Sequence, residues 1–509
     1  GGHTRRALQW KQQLGVFDHN GWNHPGPTYF YLLSVAYRVL GSGAKAMFVG
    51  ATSINALAAV ACVGVVRRRT TPGRALWAGM WVCLLACLLA AVGPGSITYS
   101  EGALGGLVSP WNPMVVTFPL LLLVLLCAAA VDRSPLSLLG ALLVGSFIVQ
   151  TNVSAAVLVV ALLVVAAVVS VVSLLTDRRH RSVPADASGP WTRVGWIAGA
   201  AALVLMWVPP VVQQLTNHPG NLTLIYRFFT AGHPGPSLVD SVRSVVAVYG
   251  VLLSGPSEVM SSYLGRAPDH GLAAYTSVVV AVLAGVVATA AGIRQRNRFA
   301  SGLGALSLVG LVAMVVAVSH VVGVVYGYLV VWAVAVPVAA LIGVGTVRLP
   351  VWTARPGARV GACLIAVLAS VVLVVRVASL PALSTVSDPE VGGLASVVAR
   401  SVPEGGTVFV NDGGAGANPA LRLLDVEQFV GLVNQLDQRG YHPRVNHLWR
   451  AEFGPGFEAT GTEDRSVELT TWTPFSPGQP GYRGRVGDLA VQVTPSVDGH
   501  STDPADTPG

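Results

Sequence analysis

Four short polar segments interrupt an otherwise apolar chain, and they hold the residues best suited to chemistry. The first covers residues 17–33 and sets an acid and an imidazole directly before an aromatic, apolar run. Carboxylates and imidazoles are the side chains that proteins most often use for proton transfer. The candidate residues of this segment are Asp18, Trp22, Asn23 and His24. A turn that only caps the following helix is the plainer reading of the same pattern.

Three later segments add further polar side chains. Glu101 precedes an apolar run that begins at Trp111 and Asn112, and Gln150 and Asn152 lie in a break between two apolar runs. The last segment follows two prolines and contains Gln213, Gln214, Asn221 and Arg227. Trp111 also suits a membrane-interface anchor, and Arg227 suits contact with lipid headgroups. The density of amides in the last segment favours a binding site.

The composition excludes a soluble enzyme. The 509 residues are 52% hydrophobic and 11% charged, whereas soluble domains carry about 25% charged residues. All five cysteines lie within apolar runs, so no disulfide framework is predicted. The net charge of +8 comes from short arginine clusters between apolar runs and not from a basic domain, so no nucleic-acid partner is expected.

Ten runs are long or apolar enough to be candidate membrane spans, since a crossing helix needs about 20 apolar residues. They cover residues 44–66, 75–92, 113–131, 136–149, 153–175, 194–208, 271–292, 300–319, 327–345 and 358–380. Residues 27–40 and 244–253 are apolar but too short to cross unaided, which indicates interfacial or re-entrant helices.

The chain changes character after residue 380. Residues 388–398 and 426–440 have helical spacing of apolar residues, and 407–410, 467–469 and 489–493 resemble strands. The predicted fold is therefore mainly α, a polytopic transmembrane helix bundle of about 10 to 12 spans with a small α/β C-terminal outer module. The expected parts are an outer loop and interfacial helix (1–43), the transmembrane domain (44–380), the extracytoplasmic module (381–493) and a disordered tail (494–509).

Several of these motifs together resemble the GT-C glycosyltransferases. The likeness lies in the stretch His24-Pro25-Gly26-Pro27, the entry Trp111-Asn112-Pro113, the break at 150–152 and the exit at 207–214. Within that superfamily the chain is most similar to bacterial relatives of the mannosyl- and aminoarabinose-transferases that use polyprenyl-phosphate sugars. The likeness of layout covers residues 15–400.

The resemblance implies an enzyme of the cell membrane that moves a sugar from a polyprenyl-phosphate donor to a hydroxyl acceptor on a glycan, lipid or protein. It implies catalytic roles for Asp18, His24 and Glu101, with substrate contacts from Trp22, Asn23, Trp111, Asn112, Gln150, Asn152, Gln213, Gln214, Asn221 and Arg227. Cations or a divalent metal ion would offset the charge of the phosphate leaving group.

The chain departs from the family pattern in two places. The family's key acid follows a first transmembrane helix that this sequence lacks, so we expect the chain to be a fragment whose acid precedes Gly1, with Asp18 as the carboxylate that remains. Asn152 stands where relatives often have His.

Two other classes of function compete with the enzyme. A lipid or solute transporter usually has ionisable residues within its spans, and these spans contain almost none. A non-catalytic membrane protein of cell-envelope assembly is the better interpretation if the natural chain starts at Gly1.

Arginine placement predicts the topology, because basic residues in short loops stay on the cytoplasmic side. The clusters near residues 67–74, 133, 178–193, 294–298 and 348–359 occupy alternate loops. Reporter fusions after Arg181 and after Ser401 should therefore report opposite sides of the membrane, with the module after residue 380 outside. Two fusions on the same side would show that the predicted number of spans between them is wrong by an odd number.

Overall fold

A computed structural model of the chain gives the fold. It describes residues 2–18, 20–41, 44–91, 106–176, 190–254, 271–323, 325, 327–347, 387–411, 419–446, 449, 453, 455–461, 463, 465–470, 482–486 and 489–495. The chain forms two compact units. The larger unit consists of His3–Pro94 and Leu104–Leu380. The smaller unit consists of Pro381–Gly509 together with Gly1–Gly2 and Gly95–Ala103.

The larger unit is a bundle of apolar helices. Its helices are α1 (Gly2–Leu8), α2 (Thr28–Val39), α3 (Ala44–Arg69), α4 (Pro72–Ala91), α5 (Asn112–Val115), α6 (Thr117–Val131), α7 (Pro135–Thr151), α8 (Ala156–Thr176), α9 (Pro190–Thr216), α10 (Asn221–Thr230), α11 (Leu238–Ser254), α12 (Leu272–Arg294), α13 (Arg298–Ser319), α14 (Gly327–Val330) and α15 (Ala335–Thr346). Within the described residues, seven helical stretches are long and apolar enough to cross a membrane. The prediction of a mainly helical chain with apolar spans is confirmed.

The centre of the bundle is the stretch Asn112–Val131, formed by α5 and α6. Of its most apolar window, 83% is buried, against 6% for α9. Phe118, Leu120 and Leu121 are fully or almost fully buried. A helix that is apolar all round and covered all round is a core helix, and α3, α7, α8, α13 and α15 pack around it.

Some predicted boundaries are wrong. The helix predicted to end at residue 208 continues through Pro209 and Pro210 to Thr216. Proline lacks the N–H that would bond the carbonyl four residues earlier. Here the Nε2 of Gln150 donates to the carbonyl of Met206 at 2.9 Å, so the carbonyl that Pro210 cannot serve still has a donor. This compensation comes from 56 residues away in the sequence.

Three further elements differ from expectation. Residues Asn221–Thr230, predicted as loop, form α10, and the short run near 244–253 is part of the longer α11. The predicted span 327–345 is broken into α14, a 3-10 turn at Val331–Val334 and α15.

The short helix expected at 27–40 is α2, whose 12 residues are too few to cross a bilayer alone. The predicted span 358–380 lies outside the described residues.

The smaller unit contains a five-stranded mixed sheet. Its elements are α16 (Ser387–Ala399), β3 (Thr407–Asn411), α17 (Pro419–Gln438), β4 (His442–Arg444), β5 (Arg465–Thr470), β6 (Tyr482–Val486) and β7 (Leu489–Pro495), where β1 and β2 belong to the other unit. The strand order is β4-β3-β5-β7-β6, with β3 parallel to β4 and β5. Leu394, Val408 and Phe429 lie in its core.

The predicted helices and strands of this unit are present with shifted bounds. Apolar spacing does not indicate β4 and β6, because β4 has only three residues and β6 has two arginines and a glycine among its five. Strand β7 continues to Pro495, past the predicted end at 493, and the rest of the expected tail lies outside the described residues. The location of this unit outside the cell stays a prediction.

The two ends of the helix bundle differ in chemistry. At one end Arg69, the last residue of α3, pairs with Asp132, which follows α6. At the other end of α6 the polar segments around Asn112 and residues 150–152 meet. The 20 residues of Asn112–Val131 separate the ends by about 30 Å at 1.5 Å per residue.

Candidate functional site

The first polar segment folds into a small hairpin. Strands β1 (Phe17–Asp18) and β2 (Trp22–Asn23) pair antiparallel, and Gly21 in the turn has a φ of 90°, a conformation that glycine adopts readily. The carboxylate of Asp18 accepts hydrogen bonds from the backbone N–H and the side-chain amide of Asn20 at 2.9 and 2.6 Å. The half-buried Asp18 is therefore held at the tip of the hairpin.

A break between α7 and α8 faces this hairpin. Asn152 has an extended backbone, with φ of −148° and ψ of 101°, and its Oδ1 accepts from the N–H and hydroxyl of Ser154. Asn152 is thus the N-cap of the 3-10 turn Val153–Ala155 that leads into α8. The buried N–H of Val153 donates to the Nδ1 of His24 at 3.2 Å, so the hairpin segment satisfies a group that the break exposes.

His24 is the centre of these contacts. Its Nε2 lies 2.9 Å from the Nδ2 of Asn112, and the same amide nitrogen donates to the carbonyl of Thr151 at 3.1 Å. Because the Val153 N–H donates to Nδ1, that nitrogen must be the unprotonated one, and protonation of the ring would remove this acceptor. Burial lowers the pKa of His24 to about 4, partly opposed by the charge of Asp18. The ring is neutral at physiological pH.

Gln150 fixes the segment that follows His24. Its Oε1 accepts from the hydroxyl of Thr28 at 2.5 Å while its Nε2 serves the carbonyl of Met206. A methyl group at Gly26 would overlap the Gln150 side chain, and one at Gly15 would lie 2.8 Å from the Cβ of His24. Both glycines are needed for the backbone to approach this closely.

The amides of the last polar segment join α9, α10 and the hairpin. Asn221 accepts from the N–H of Asn23 and donates to its carbonyl, both at 2.8 Å. The Oε1 of Gln213 accepts from the N–H of Asn221, and that of Gln214 from the N–H of Thr223. Gln213 and Gln214 thus lie in the last turns of α9 and cap α10, a correction to their expected place in an open loop.

Aromatic contacts complete the packing of the hairpin on α10. The Trp22 ring centroid lies 5.6 Å from that of Phe228 and 6.0 Å from that of Phe229. Its other neighbour is His24, at 5.7 Å with the rings edge to face. The Trp22 indole N–H is buried and has no acceptor among the described residues.

The remaining predicted residues lie at the edge or outside this arrangement. Trp111 is 37% exposed, and its loop is fixed by the Tyr29 hydroxyl, which donates to the carbonyl of Pro110. Arg227 is exposed on α10, although its neighbour Phe228 packs against Trp22. Glu101 lies outside the described residues.

The structure therefore brings together a polar cluster, whose members hydrogen-bond to one another or to the helix ends beside them. The polar cluster consists of Asn23, His24, Thr28, Asn112, Gln150, Thr151, Asn152, Gln213 and Asn221. Sequence reasoning missed Thr28, Thr151, Gly15 and Gly26. Gly26 has a visible signal, since it stands between two prolines in the stretch that carries the family resemblance. Thr28 and Thr151 have none, because their partners are distant in the sequence.

An apolar groove begins close to the polar cluster. It lies open between α8 and α13, has a volume of about 500 Å³ and is lined entirely by aliphatic side chains. Its lining residues are Val157, Ala161, Leu308, Val309, Val312, Ala313 and Val316. Val157 is one helical turn from Val153, whose N–H contacts His24.

Across the described ranges, no group of three or more His, Cys, Asp or Glu side chains gathers in a way that could hold a metal ion. A divalent metal ion, one of the two alternatives for offsetting the phosphate charge, therefore has no such group of ligands in this part of the chain. Comparison with known proteins finds no family model, curated protein or solved structure that matches the chain.

Asn221 offers a direct test of how the hairpin is held. Asn221→Ala removes two hydrogen bonds to the partly buried backbone of Asn23, so we expect a loss of about 2 kcal/mol in unfolding free energy and faster amide exchange in residues 12–27. Asn217→Ala is the matched control, because the exposed Asn217 bonds only within its own helix end. Equal amide exchange in the two variants would show that Asn221 does not hold the hairpin in place.

His24 makes the stability of the bundle depend on pH. The unfolded chain takes up a proton as pH falls through about 6.5, whereas folded His24 resists protonation down to about 4. Stability is therefore complete above pH 6.5 and decreases towards pH 4, by about 3 kcal/mol from this residue.

The measurement is thermal unfolding of the full chain in detergent between pH 7.5 and 4. Burial lowers the pKa of His3 as well, so the informative quantity is the difference between the parent chain and His24→Asn. The variant should lose part of the acid sensitivity, whereas His442→Asn, at an exposed strand position, should keep it. An unchanged pH profile in His24→Asn would be incompatible with a buried neutral imidazole.

Proposed function

We propose that the chain is a membrane glycosyltransferase that moves a sugar from a polyprenyl-phosphate donor to a hydroxyl acceptor at the outer face of the cell membrane. The observation that carries the proposal is the position of an apolar groove one helical turn from a polar cluster. A polyprenyl-phosphate sugar has the same division, since its tail must stay in an apolar environment while its phosphate and sugar need polar partners.

Asp18 is the residue best placed to act as general base. It is half-buried at the tip of the hairpin, close enough for its charge to act on His24. In the proposed step the acceptor oxygen attacks the anomeric carbon, the bond from that carbon to the phosphate oxygen breaks, and the acceptor proton passes to Asp18. The other product is the polyprenyl phosphate, which keeps the electron pair of the broken bond.

In the proposed reaction a cation must offset the charge of the donor phosphate, and side chains must bind the donor sugar. Arg227 is exposed on the helix that holds the hairpin, and guanidinium matches phosphate oxygens in a two-pronged geometry. Trp111 is partly exposed and offers an aromatic face to a sugar. Glu101 stays a predicted second acid.

The proposal changes the role of His24. A neutral imidazole that is 7% exposed, with each ring nitrogen within hydrogen-bond distance of another group of the chain, is poorly placed to touch a substrate. We assign His24 a positioning role, in which it holds the hairpin and so Asp18. Asn112, Gln150, Asn152, Gln213 and Asn221 support the same hairpin and helix ends.

One observation favours a different function, the non-catalytic envelope-assembly protein. Much of the polar cluster's hydrogen-bonding capacity is used within the chain, as a purely structural junction would require. The two functions differ in whether the chain binds a polyprenyl phosphate. The experiment must therefore separate binding from chemistry.

The test uses the full chain in lipid nanodiscs, with undecaprenyl phosphate as the binding probe and polyprenyl-phosphate mannose as the turnover probe. Arg227→Ala should weaken undecaprenyl phosphate binding about tenfold, since a charge-assisted pair contributes roughly 1.5 kcal/mol. Arg243→Ala is its control, because Arg243 pairs with Asp240 on α11. Asp18→Asn should keep binding and reduce mannose transfer at least about 100-fold.

The outcomes distinguish the functions. Binding without transfer from any sugar donor by the parent chain would overturn the enzyme, and transfer by Asp18→Asn at the rate of the parent chain would contradict the assignment of Asp18 as base. No binding of undecaprenyl phosphate by the parent chain would overturn the enzyme and favour the assembly protein. Equal binding of undecaprenyl phosphate by Arg227→Ala and Arg243→Ala would show that Arg227 does not bind the donor phosphate and would favour a contact with lipid headgroups.

A further inference from the structure

The indole of Trp22 has a hydrogen-bond donor that its packing does not explain. The side chain is 4% exposed, and its buried Nε1 has no acceptor among the described residues. Nearly all buried polar groups of native proteins have a partner, because a buried donor without one costs stability. The Trp22 N–H therefore points to an acceptor that a ligand supplies.

The register of the hairpin places Trp22 beside Asp18. The two residues are directly paired where β1 and β2 run antiparallel. Directly opposite residues of such a pair have their side chains on the same face of the sheet, with Cβ atoms about 5 Å apart. A molecule in contact with the Asp18 carboxylate is therefore within reach of the Trp22 indole.

The proposed reaction determines which part of the donor meets this pair. Asp18 takes the acceptor proton, so the acceptor oxygen lies beside Asp18 and approaches the anomeric carbon from the side opposite to the bond that breaks. The sugar then lies between the phosphate and Asp18, and the charge of the carboxylate opposes a phosphate oxygen next to it. The oxygen atoms within reach of Trp22 are therefore the neutral hydroxyl oxygens of the sugar.

Two phenylalanines of α10 close off the indole from solvent. The ring centroids of Phe228 and Phe229 lie 5.6 and 6.0 Å from that of Trp22, and Phe229 is itself 44% exposed. Phe228 and Phe229 are called the aromatic cover below. Because α10 packs mainly against α9 and β2, the outer side of the cover is bordered by exposed residues such as Tyr226.

The contacts of α10 with the hairpin differ along its length. Asn221, its first residue, is hydrogen-bonded to both backbone groups of Asn23. Phe228 follows seven residues later, about 10 Å along the helix axis, next to the exposed segment 229–235. A rotation of α10 about its first turn therefore moves the aromatic cover off the indole and keeps the bonds of Asn221.

We propose that Trp22 binds the sugar of the lipid-linked donor. The aromatic cover moves aside, and the indole N–H donates to a hydroxyl oxygen of the sugar on the face of the hairpin that carries Asp18. This inference rests on the proposed transferase function and deepens it, because it assigns a donor to the sugar while Arg227 serves the phosphate.

The experiment compares undecaprenyl-phosphate mannose with undecaprenyl phosphate, which differ only in the sugar, as ligands of the full chain in lipid nanodiscs. Trp22→Phe keeps an aromatic ring but has no N–H. It should weaken binding of the mannose-bearing lipid about fivefold and leave binding of undecaprenyl phosphate nearly unchanged, since one neutral hydrogen bond is lost. Trp10→Phe is the matched control, because Trp10 is 84% exposed, and it should change neither affinity.

The outcomes separate this inference from the proposed function. Equal losses for the two lipids in Trp22→Phe would reduce Trp22 to a packing residue and overturn the inference, as would no loss for either lipid. In both cases the parent chain still binds a polyprenyl phosphate, so the proposed function stands. A parent chain that binds neither lipid would overturn the proposed function and the inference together.

The indole proton itself gives a direct measurement. In a chain labelled with ¹⁵N-tryptophan, the Trp22 signal is the indole resonance that disappears in Trp22→Phe. Undecaprenyl-phosphate mannose should shift this resonance downfield, whereas undecaprenyl phosphate should not. Equal shifts with the two lipids would overturn the sugar as the acceptor, and no shift with bound lipid would overturn the contact.

A further pair of variants tests the aromatic cover. Phe229→Ala removes one of its rings, so the Trp22 indole proton of the ligand-free chain should exchange with D₂O faster than in the parent chain. Tyr226→Ala is the control, because it shortens an exposed side chain of the same helix, and it should leave the exchange rate unchanged. Equal exchange rates in the two variants would overturn the role of the cover.

Discussion

The interaction on which the rest of the site depends is the hydrogen bond from the N–H of Val153 to the Nδ1 of His24. The chain turns from α7 into α8 inside a bundle of apolar helices, where a break exposes backbone groups that water cannot serve. Asn152 caps one of these groups, Asn112 bonds the carbonyl of Thr151, and His24 accepts from Val153. A segment far away in the sequence therefore has to dock here for the break to be stable.

That requirement explains why the neighbouring elements are arranged as they are. Gly15 and Gly26 allow the segment to approach the break, and Gln150 holds the residues that follow it. The same Gln150 serves a carbonyl in α9 that Pro210 leaves without its usual donor. Because α9 then continues to Thr216, its terminal amides reach α10, and α10 in turn holds the hairpin through Asn221.

The sequence alone predicted the helical membrane class and most helix positions, because length and apolarity suffice to recognise a span. It also identified His24, Asn112, Gln150 and Asn221 as residues of interest, because isolated polar residues near apolar runs are conspicuous. It did not predict which of them pair. The bond between Gln150 and Met206 joins residues 56 apart, and that between Asn23 and Asn221 joins residues 198 apart.

The errors have the same physical origin. Local rules end a helix at two prolines, and only a donor from another helix makes the continuation of α9 possible. The polar residues Asn221 and Arg227 favour a loop at 221–230, although Leu224, Ile225 and Phe228 have the helical spacing that α10 shows. The sequence alone also does not predict which side chains are buried, because the burial of His24 and the exposure of Arg227 follow from the packing of several elements.

The central claim is that the polar cluster and the groove between α8 and α13 receive one amphiphile, with its phosphate at the hairpin and its tail along the groove. The most direct measurement is photo-crosslinking with a polyprenyl phosphate that carries a benzophenone in its first isoprene units, followed by peptide mapping of the full chain. The account predicts labelling of peptides that contain residues 157–161 and 308–316, and suppression of that labelling by unlabelled undecaprenyl phosphate. Labelling spread over the exposed face of α9, with no suppression by the unlabelled lipid, would contradict it.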